Sequence, residues 1–314
     1  MYPTPSEEAA KTRASEKRAR ALSSCAAGSL LILAVCGMVL AQAGRRQQTT
    51  NEAGVLVSLV ARRDGTSTAP ITAKQMSVYD NGVEQTIRNF SPDPSPARIV
   101  LLVDNSLTIR ADVEKLEQAA REFAYEIYEG DKLLIVGYDE EAEIVADWTD
   151  DSKSIESSLK MFRKKGQPHL FDAASAVIDQ ALRASPGQKK VIVVISDGLD
   201  RGSKTSFEKI LSELQQLDIT VYAVQAQDRT RGAIRRDVPK PKQVIEKLVE
   251  GTGGAIFSID EPNVAAKTIC DELRKNRYVI SYVPSSAPFG EARNLLVVAD
   301  QGINVRAKTM QQPN

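Results

Sequence analysis

Ile99-Val100-Leu101-Leu102-Val103-Asp104-Asn105-Ser106-Leu107-Thr108 carries two instructions at once. Its first five residues are all aliphatic, with no polar position among them. Such a run predicts a strand covered on both faces, as in a parallel sheet. An aspartate closes the run. Asp104, Ser106 and Thr108 then stand at alternate positions on one turn, where their oxygens can converge.

Strands and helices alternate outward from this segment. Lys132–Tyr138, Val191–Ser196 and Ile219–Gln225 read as further buried strands, with shorter ones at Glu143–Trp148 and Ala255–Ile259. Helices are predicted over Ala111–Ile127, Asp151–Phe162, Asp172–Ala184, Ser206–Leu217, Val244–Gly251 and Asn263–Lys275. In the first of these, Val113, Leu116, Ala119, Phe123 and Ile127 recur at 3–4 spacing, the period of an amphipathic helix. The alternation specifies an α/β fold with a doubly wound, mostly parallel sheet. Ligands bind such sheets at the carboxyl ends of the strands, near the topological switch point. A second apolar strand ends there in an aspartate, as Ile195-Ser196-Asp197-Gly198. Two carboxylates and two hydroxyls make a hard-oxygen set suited to Mg²⁺, Mn²⁺ or Ca²⁺, and unsuited to zinc or copper.

On both flanks the pattern is all-β. Val55–Val60, Gln75–Tyr79 and Val83–Phe90 read as strands, the last two joined by the turn signal Asp80-Asn81-Gly82. Ser91-Pro92-Asp93-Pro94-Ser95-Pro96 reads as a proline-rich linker. After the last helix come strands at Tyr278–Val283, Leu295–Ala299 and Ile303–Ala307. These are expected to pair with the first β segment in one small sandwich. The expected organisation is therefore an export segment over 1–43, a β unit and linker over 44–96, the α/β domain over 97–275, and closing strands over 276–314.

The N-terminus is polar and basic, with Lys11, Arg13, Lys17, Arg18 and Arg20 ahead of an apolar run from Cys25 to about Ala41. The run ends in Ala41-Gln42-Ala43, a small-x-small cleavage signal. It falls short of the ~20 residues that cross a bilayer comfortably. Either a cleaved signal peptide or an uncleaved anchor accounts for this pattern. Leu33-Ala34-Val35-Cys36 also resembles a lipobox, although Val35 stands where a small residue is expected. Each reading places the bulk of the chain outside the cytoplasm.

Composition narrows the function classes. With 42% hydrophobic and 26% charged residues, the chain has the apolar content for a true core. Its zero formal charge does not suggest nucleic acid as a partner. Once Cys25 and Cys36 are set aside with the apolar run, only Cys270 remains, so an intrachain disulfide framework is excluded. A single histidine, His169, excludes the cysteine/histidine class of zinc sites.

Asp-x-Ser-x-Thr after the first buried strand, with Ser-Asp-Gly after a later one, resembles the metal-ion-dependent adhesion site of the von Willebrand factor A family. The flanks resemble those of a bacterial subset of that family. They read Val78-Tyr79-Asp80-Asn81-Gly82, Thr252-Gly253-Gly254-Ala255-Ile256-Phe257 and Arg277-Tyr278-Val279-Ile280-Ser281-Tyr282-Val283-Pro284, so the likeness covers about residues 55–310. The resemblance implies that Asp104 and Asp197 hold a cation directly or through water, and that Ser106 and Thr108 ligate it. A partner's Asp or Glu would complete the shell. One departure stands out. The family supplies a third-loop threonine, and Gly166-Gln167-Pro168-His169-Leu170-Phe171-Asp172 places Pro168 there. Metal affinity is expected to fall unless Gln167 or His169 supplies a ligand from the same loop. Two readings follow: an exported, metal-dependent adhesion module, or a metal-independent scaffold in a cell-envelope complex.

Enzymatic readings have less behind them. A dehalogenase-type phosphatase needs an acidic residue two positions after the nucleophile, where this chain has Ser106. Thr252-Gly253-Gly254 precedes a strand and lacks the lysine of a phosphate loop. No Gly-x-Ser-x-Gly elbow is present. The chain is expected not to be an enzyme.

Overall fold

Val55, Val57, Leu59 and Ala61 turn inward at alternate positions along β1 (Val55–Arg63), the two-residue period of a strand packed on a core. The computed structural model describes residues 54–65, 67–160, 162–226, 240–285 and 291–313. The export segment lies outside the described residues, as does most of 228–242, which the sequence reads as a basic, proline-containing loop. Among the described residues no helix is long and apolar enough to cross a membrane.

β2 (Met76–Asp80) and β3 (Val83–Gln85) form a hairpin through Asn81-Gly82, pairing Asp80 with Val83. The sequence reads Val83–Phe90 as one strand, but it breaks at Thr86. The second half, β4 (Ile87–Pro92), leaves for a different sheet and pairs with β11 (Arg277–Tyr282). Strands that switch sheets at a bend are how a sandwich turns its corners. The proline-rich segment is likewise built into the fold rather than being a loose linker. Ser91 and Pro92 pair with Val279 and Tyr278, and the Asp93 amide donates to the Arg277 carbonyl at 2.9 Å. Pro92 fits because β4 is an edge strand.

The central sheet holds β5 (Ala97–Asp104), β6 (Lys132–Tyr138), β7 (Ala142–Thr149), β8 (Lys189–Ser196), β9 (Ile219–Gln225) and β10 (Ile256–Ser258). Their order is β10-β9-β8-β5-β6-β7, all parallel except β7, which runs antiparallel on the edge. Ile99, Leu101 and Val103 face α1 (Val113–Glu126), α2 (Ser152–Leu159) and α6 (Pro262–Lys275). Val100 and Leu102 face α3 (Leu170–Val177), α4 (Phe207–Gln216) and α5 (Pro241–Thr252). Burial on both faces explains the unbroken apolar run of β5. α3 continues as a single π-helical turn, Ile178–Leu182. Cys270 lies 1% exposed in the α6 face of the core, and burial pushes its thiol well above the usual range.

β12 (Arg293–Ala299), β13 (Ile303–Ala307) and β14 (Met310–Gln311) complete two four-stranded sheets, β13-β1-β11-β4 and β14-β12-β2-β3. Each sheet interleaves strands from before and after the α/β domain. Val57, Leu59, Val78, Ile280, Tyr282 and Leu295 fill the space between them.

Buried and part-buried polar contacts join the sandwich to the start of β9, to α6 and to the Thr-Gly-Gly segment. Arg306 contacts Glu272 at 2.5 Å and the Gly254 carbonyl at 2.6 Å. Arg277 donates to Thr220 Oγ1 at 2.8 Å, and Ser58 donates to Asp218 at 2.5 Å. The Thr-Gly-Gly segment is part of this joint. A Cβ on Gly254 would lie 1.8 Å from the Val221 carbonyl oxygen, so no larger residue fits. The sandwich thus grips the amino ends of the parallel strands. Seven residues of β9 span roughly 20 Å, and the carboxyl ends of the sheet remain clear of the sandwich.

Candidate functional site

β5 and β8 are neighbours, and the chain winds away from them in opposite directions. Their carboxyl ends therefore open a crevice at the switch point. Asp104, the last residue of β5, is fully buried. Its Oδ1 accepts the Ser106 amide at 3.0 Å, closing a tight turn of the kind aspartate favours. That turn brings Ser106 Oγ to 3.0 Å from Thr108 Oγ1. Asp197 follows β8 directly, is 4% exposed, and accepts the Leu199 amide on Oδ1 at 2.9 Å. Between them, Gly198 adopts φ +85°, and a Cβ there would sit 2.4 Å from the Pro241 carbonyl oxygen. Glycine at this point of Ser-Asp-Gly is a steric requirement of the turn.

Two residues support Asp104 from beneath. Ser196 donates to Asp104 Oδ2 at 3.0 Å, and the Tyr138 hydroxyl approaches the same oxygen at 3.4 Å. Tyr138 also donates to Ser196 Oγ at 3.0 Å, and that oxygen accepts the Gly198 amide at 2.9 Å. Burial pushes the Asp104 carboxyl above its ordinary value, while hydrogen bonds from Ser106, Ser196 and Tyr138 pull it back. Burial and then the Asp104 charge, with a smaller contribution from Asp197, hold the Tyr138 hydroxyl neutral. Sequence reasoning missed both supports. Tyr138 ends β6 in register with Asp104; the signal was a polar aromatic closing the strand beside the aspartate.

The third loop is laced to the first. Leu107 N donates to the Gly166 carbonyl at 3.2 Å, and Lys165 N to the Asn105 carbonyl at 2.8 Å. Pro168 is buried there and offers no side-chain heteroatom. Its carbonyl accepts the Arg201 amide at 2.7 Å. The His169 ring lies against Gly202 of the β8–α4 loop, and its amide donates to the Asp139 carbonyl at 2.8 Å. Neither His169 nor the half-buried Gln167 makes a side-chain hydrogen bond among the described residues. Asp172 accepts the Lys204 and Thr205 amides, both at 2.9 Å, which ties the start of α3 to the loop after Asp197.

Chemically the crevice is a cluster of hard oxygens. Mg²⁺–O bonds of 2.0–2.1 Å in an octahedral shell place adjacent ligand oxygens about 3.0 Å apart. The Ser106–Thr108 separation of 3.0 Å is compatible with that edge. No three His, Cys, Asp or Glu side chains converge among the described residues. Carboxylate and hydroxyl oxygens are the donor types that hard divalent cations take.

Residues 99–199, which span β5 to the loop after β8, match the sequence model of the von Willebrand factor type A domain. The chain carries a von Willebrand factor A domain. Among solved structures, the chain is similar to an aerotolerance-related membrane protein from Bacteroides fragilis. Identity is 20%, over 57% of this chain and 99% of that one, with TM-score 0.43. The conserved hypothetical protein BatB from Bacteroides thetaiotaomicron is similar at 19% identity, over 57% and 98%, with TM-score 0.42. A von Willebrand factor type A protein from Catenulispora acidiphila aligns over 86% of this chain and 76% of its own, at 9% identity and TM-score 0.45. No curated protein matches the chain significantly. The oxygen cluster is drawn from the last residue of β5 and the loops that follow β5 and β8, at the strand ends away from the sandwich.

Proposed function

We propose that this chain is an exported protein-binding module. In this reading Asp104, Ser106, Thr108 and Asp197 hold a divalent cation, Mg²⁺ or alternatively Mn²⁺ or Ca²⁺, which receives an Asp or Glu carboxylate from a partner protein. The observation that carries the reading is the meeting of Ser106 Oγ and Thr108 Oγ1 at 3.0 Å beside a buried Asp104. The cation would supply an electrophilic docking point, since two carboxylates leave it open to a further anionic oxygen. The buried Asp104 is kept in place by Ser196, and Ser106 and Thr108 are oriented by the turn. The basic head and apolar run of residues 1–43 support export, by cleavage or by anchoring.

Pro168 supports a second reading, a metal-independent A-domain scaffold in a cell-envelope complex, because the third loop adds no ligand oxygen. Calorimetric titration of the full-length chain with Mg²⁺ and Mn²⁺ separates the two. Saturable heat that disappears in Asp104→Ala supports the cation site. An absence of heat in the wild-type chain leaves the scaffold reading.

A further inference from the structure

Each of the two loops that supply the oxygen cluster also presents an arginine. Arg110 follows Thr108 by two positions, and Arg201 follows Asp197 by four. Both are exposed, and among the described residues neither guanidinium makes an ion pair or a side-chain hydrogen bond. Three nearby lysines are engaged. Lys165 binds Glu143 at 2.7 Å, Lys115 binds Asp260 at 2.7 Å, and Lys164 donates to the Ile109 and Ala111 carbonyls at 2.6 and 3.2 Å. Among the described residues these three lysines are engaged, Lys204 is not, and the Arg110 and Arg201 forks have no side-chain partner.

Leu107 sits between the two hydroxyl ligands and is 65% exposed. A large apolar side chain held in water at the centre of a polar loop contributes nothing to the core. Arg110 also walls a cleft of about 150 Å³ whose floor includes Ala226 and Ile259. The carboxylates sharing that cleft are Asp112 and Asp260. Asp260 is engaged by Lys115, and Asp112 stands at the positive end of α1, which offsets its charge.

We infer that Arg110 and Arg201 form a guanidinium clamp for an acidic segment of a partner protein, in which Leu107 packs against an apolar residue lying between the segment's carboxylates. The inference rests on the partner-carboxylate reading above and adds that part of the recognition needs no cation. Guanidinium forks match carboxylates bidentately where an ammonium cannot. Arginine is also enriched among the residues that dominate interface energies.

The test uses the full-length chain and a fluorescein-labelled peptide, Glu-Asp-Leu-Glu-Asp-Leu-Glu-Asp, read by anisotropy in Mg²⁺ and in EDTA. The wild-type chain is expected to bind in both buffers, more weakly in EDTA, and to lose affinity as salt rises. Arg110→Ala/Arg201→Ala is expected to weaken binding about tenfold or more in either buffer. Arg110→Lys/Arg201→Lys should recover only part of that loss, and Leu107→Ser should weaken peptide binding in both buffers. Matching thermal melts of wild type and double alanine variant would assign the loss to recognition. Wild-type affinity in the double alanine variant overturns the clamp while leaving the cation reading intact. Complete loss of wild-type binding in EDTA, or no binding in either buffer, also overturns it. Calorimetry with Mg²⁺ alone decides the cation site independently.

Discussion

Ser196 donates to Asp104 Oδ2 at 3.0 Å, joining the last residue of β8 to the last residue of β5 across the switch point. The same serine oxygen receives the Gly198 amide. One hydroxyl thus positions both the first-loop aspartate and the turn that carries Asp197. Ser196→Ala strands the buried Gly198 amide and removes a donor from Asp104. We expect a loss of about 1–2 kcal/mol in urea unfolding, together with weaker Mg²⁺ binding. Unchanged stability would mean that Tyr138 and the Ser106 amide hold the carboxylate without Ser196.

Asp104 makes stability depend on pH. Burial raises its folded-state pKa above the ordinary 3.8, so the folded chain holds a proton that the unfolded chain releases. Its contribution to stability is full below the ordinary value and is lost as pH rises through the raised one. Asp104→Asn carries no charge and escapes this loss. Without divalent cation, the variant should gain melting temperature relative to wild type as pH rises above the ordinary carboxylate value. Parallel melting curves would rule the effect out.

Pro168→Thr restores a hydroxyl to the third loop. The carbonyl that accepts Arg201 N is unaffected by the exchange. One added ligand oxygen should tighten Mg²⁺ binding about tenfold, equivalent to about 1.4 kcal/mol. Identical calorimetric titrations of variant and wild type would show that this position does not reach the cation.

Arg306→Ala leaves Glu272, which is 6% exposed, without its cation while Tyr222 still donates to it at 3.2 Å. Glu272 is buried but Arg306 is only partly so, and removing the arginine should cost roughly 1–3 kcal/mol. Because the contact joins sandwich and A domain, both should melt together at a lower urea midpoint. Two separated transitions would instead show that the modules fold independently.

Gly198→Ala forces a Cβ into the left-handed turn and against the Pro241 carbonyl. A loss of about 2–4 kcal/mol is expected in urea unfolding. A variant of wild-type stability would show that the loop relaxes without cost.

Local chemistry was readable from the chain itself. The unbroken apolar runs of β5 and β8 required cover on both faces, and the aspartates that end them marked the switch point, because strand direction and side-chain period follow from sequence. The spacing of Asp104, Ser106 and Thr108 required only one turn to bring their oxygens together. Other features depended on partners distant in sequence. Val83–Phe90 looks continuous, yet it divides at Thr86, because only the two packed sheets create the corner that splits it. Ser91–Pro96 looks like a linker, yet its first residues, Ser91 to Asp93, bond to the strand Arg277–Tyr282. Tyr138 and Ser196 support Asp104 only because the parallel register sets β6 and β8 on either side of β5. Sequence set the residues of the oxygen cluster. Tertiary packing decided what holds them, since burial and hydrogen-bond partners belong to the folded chain.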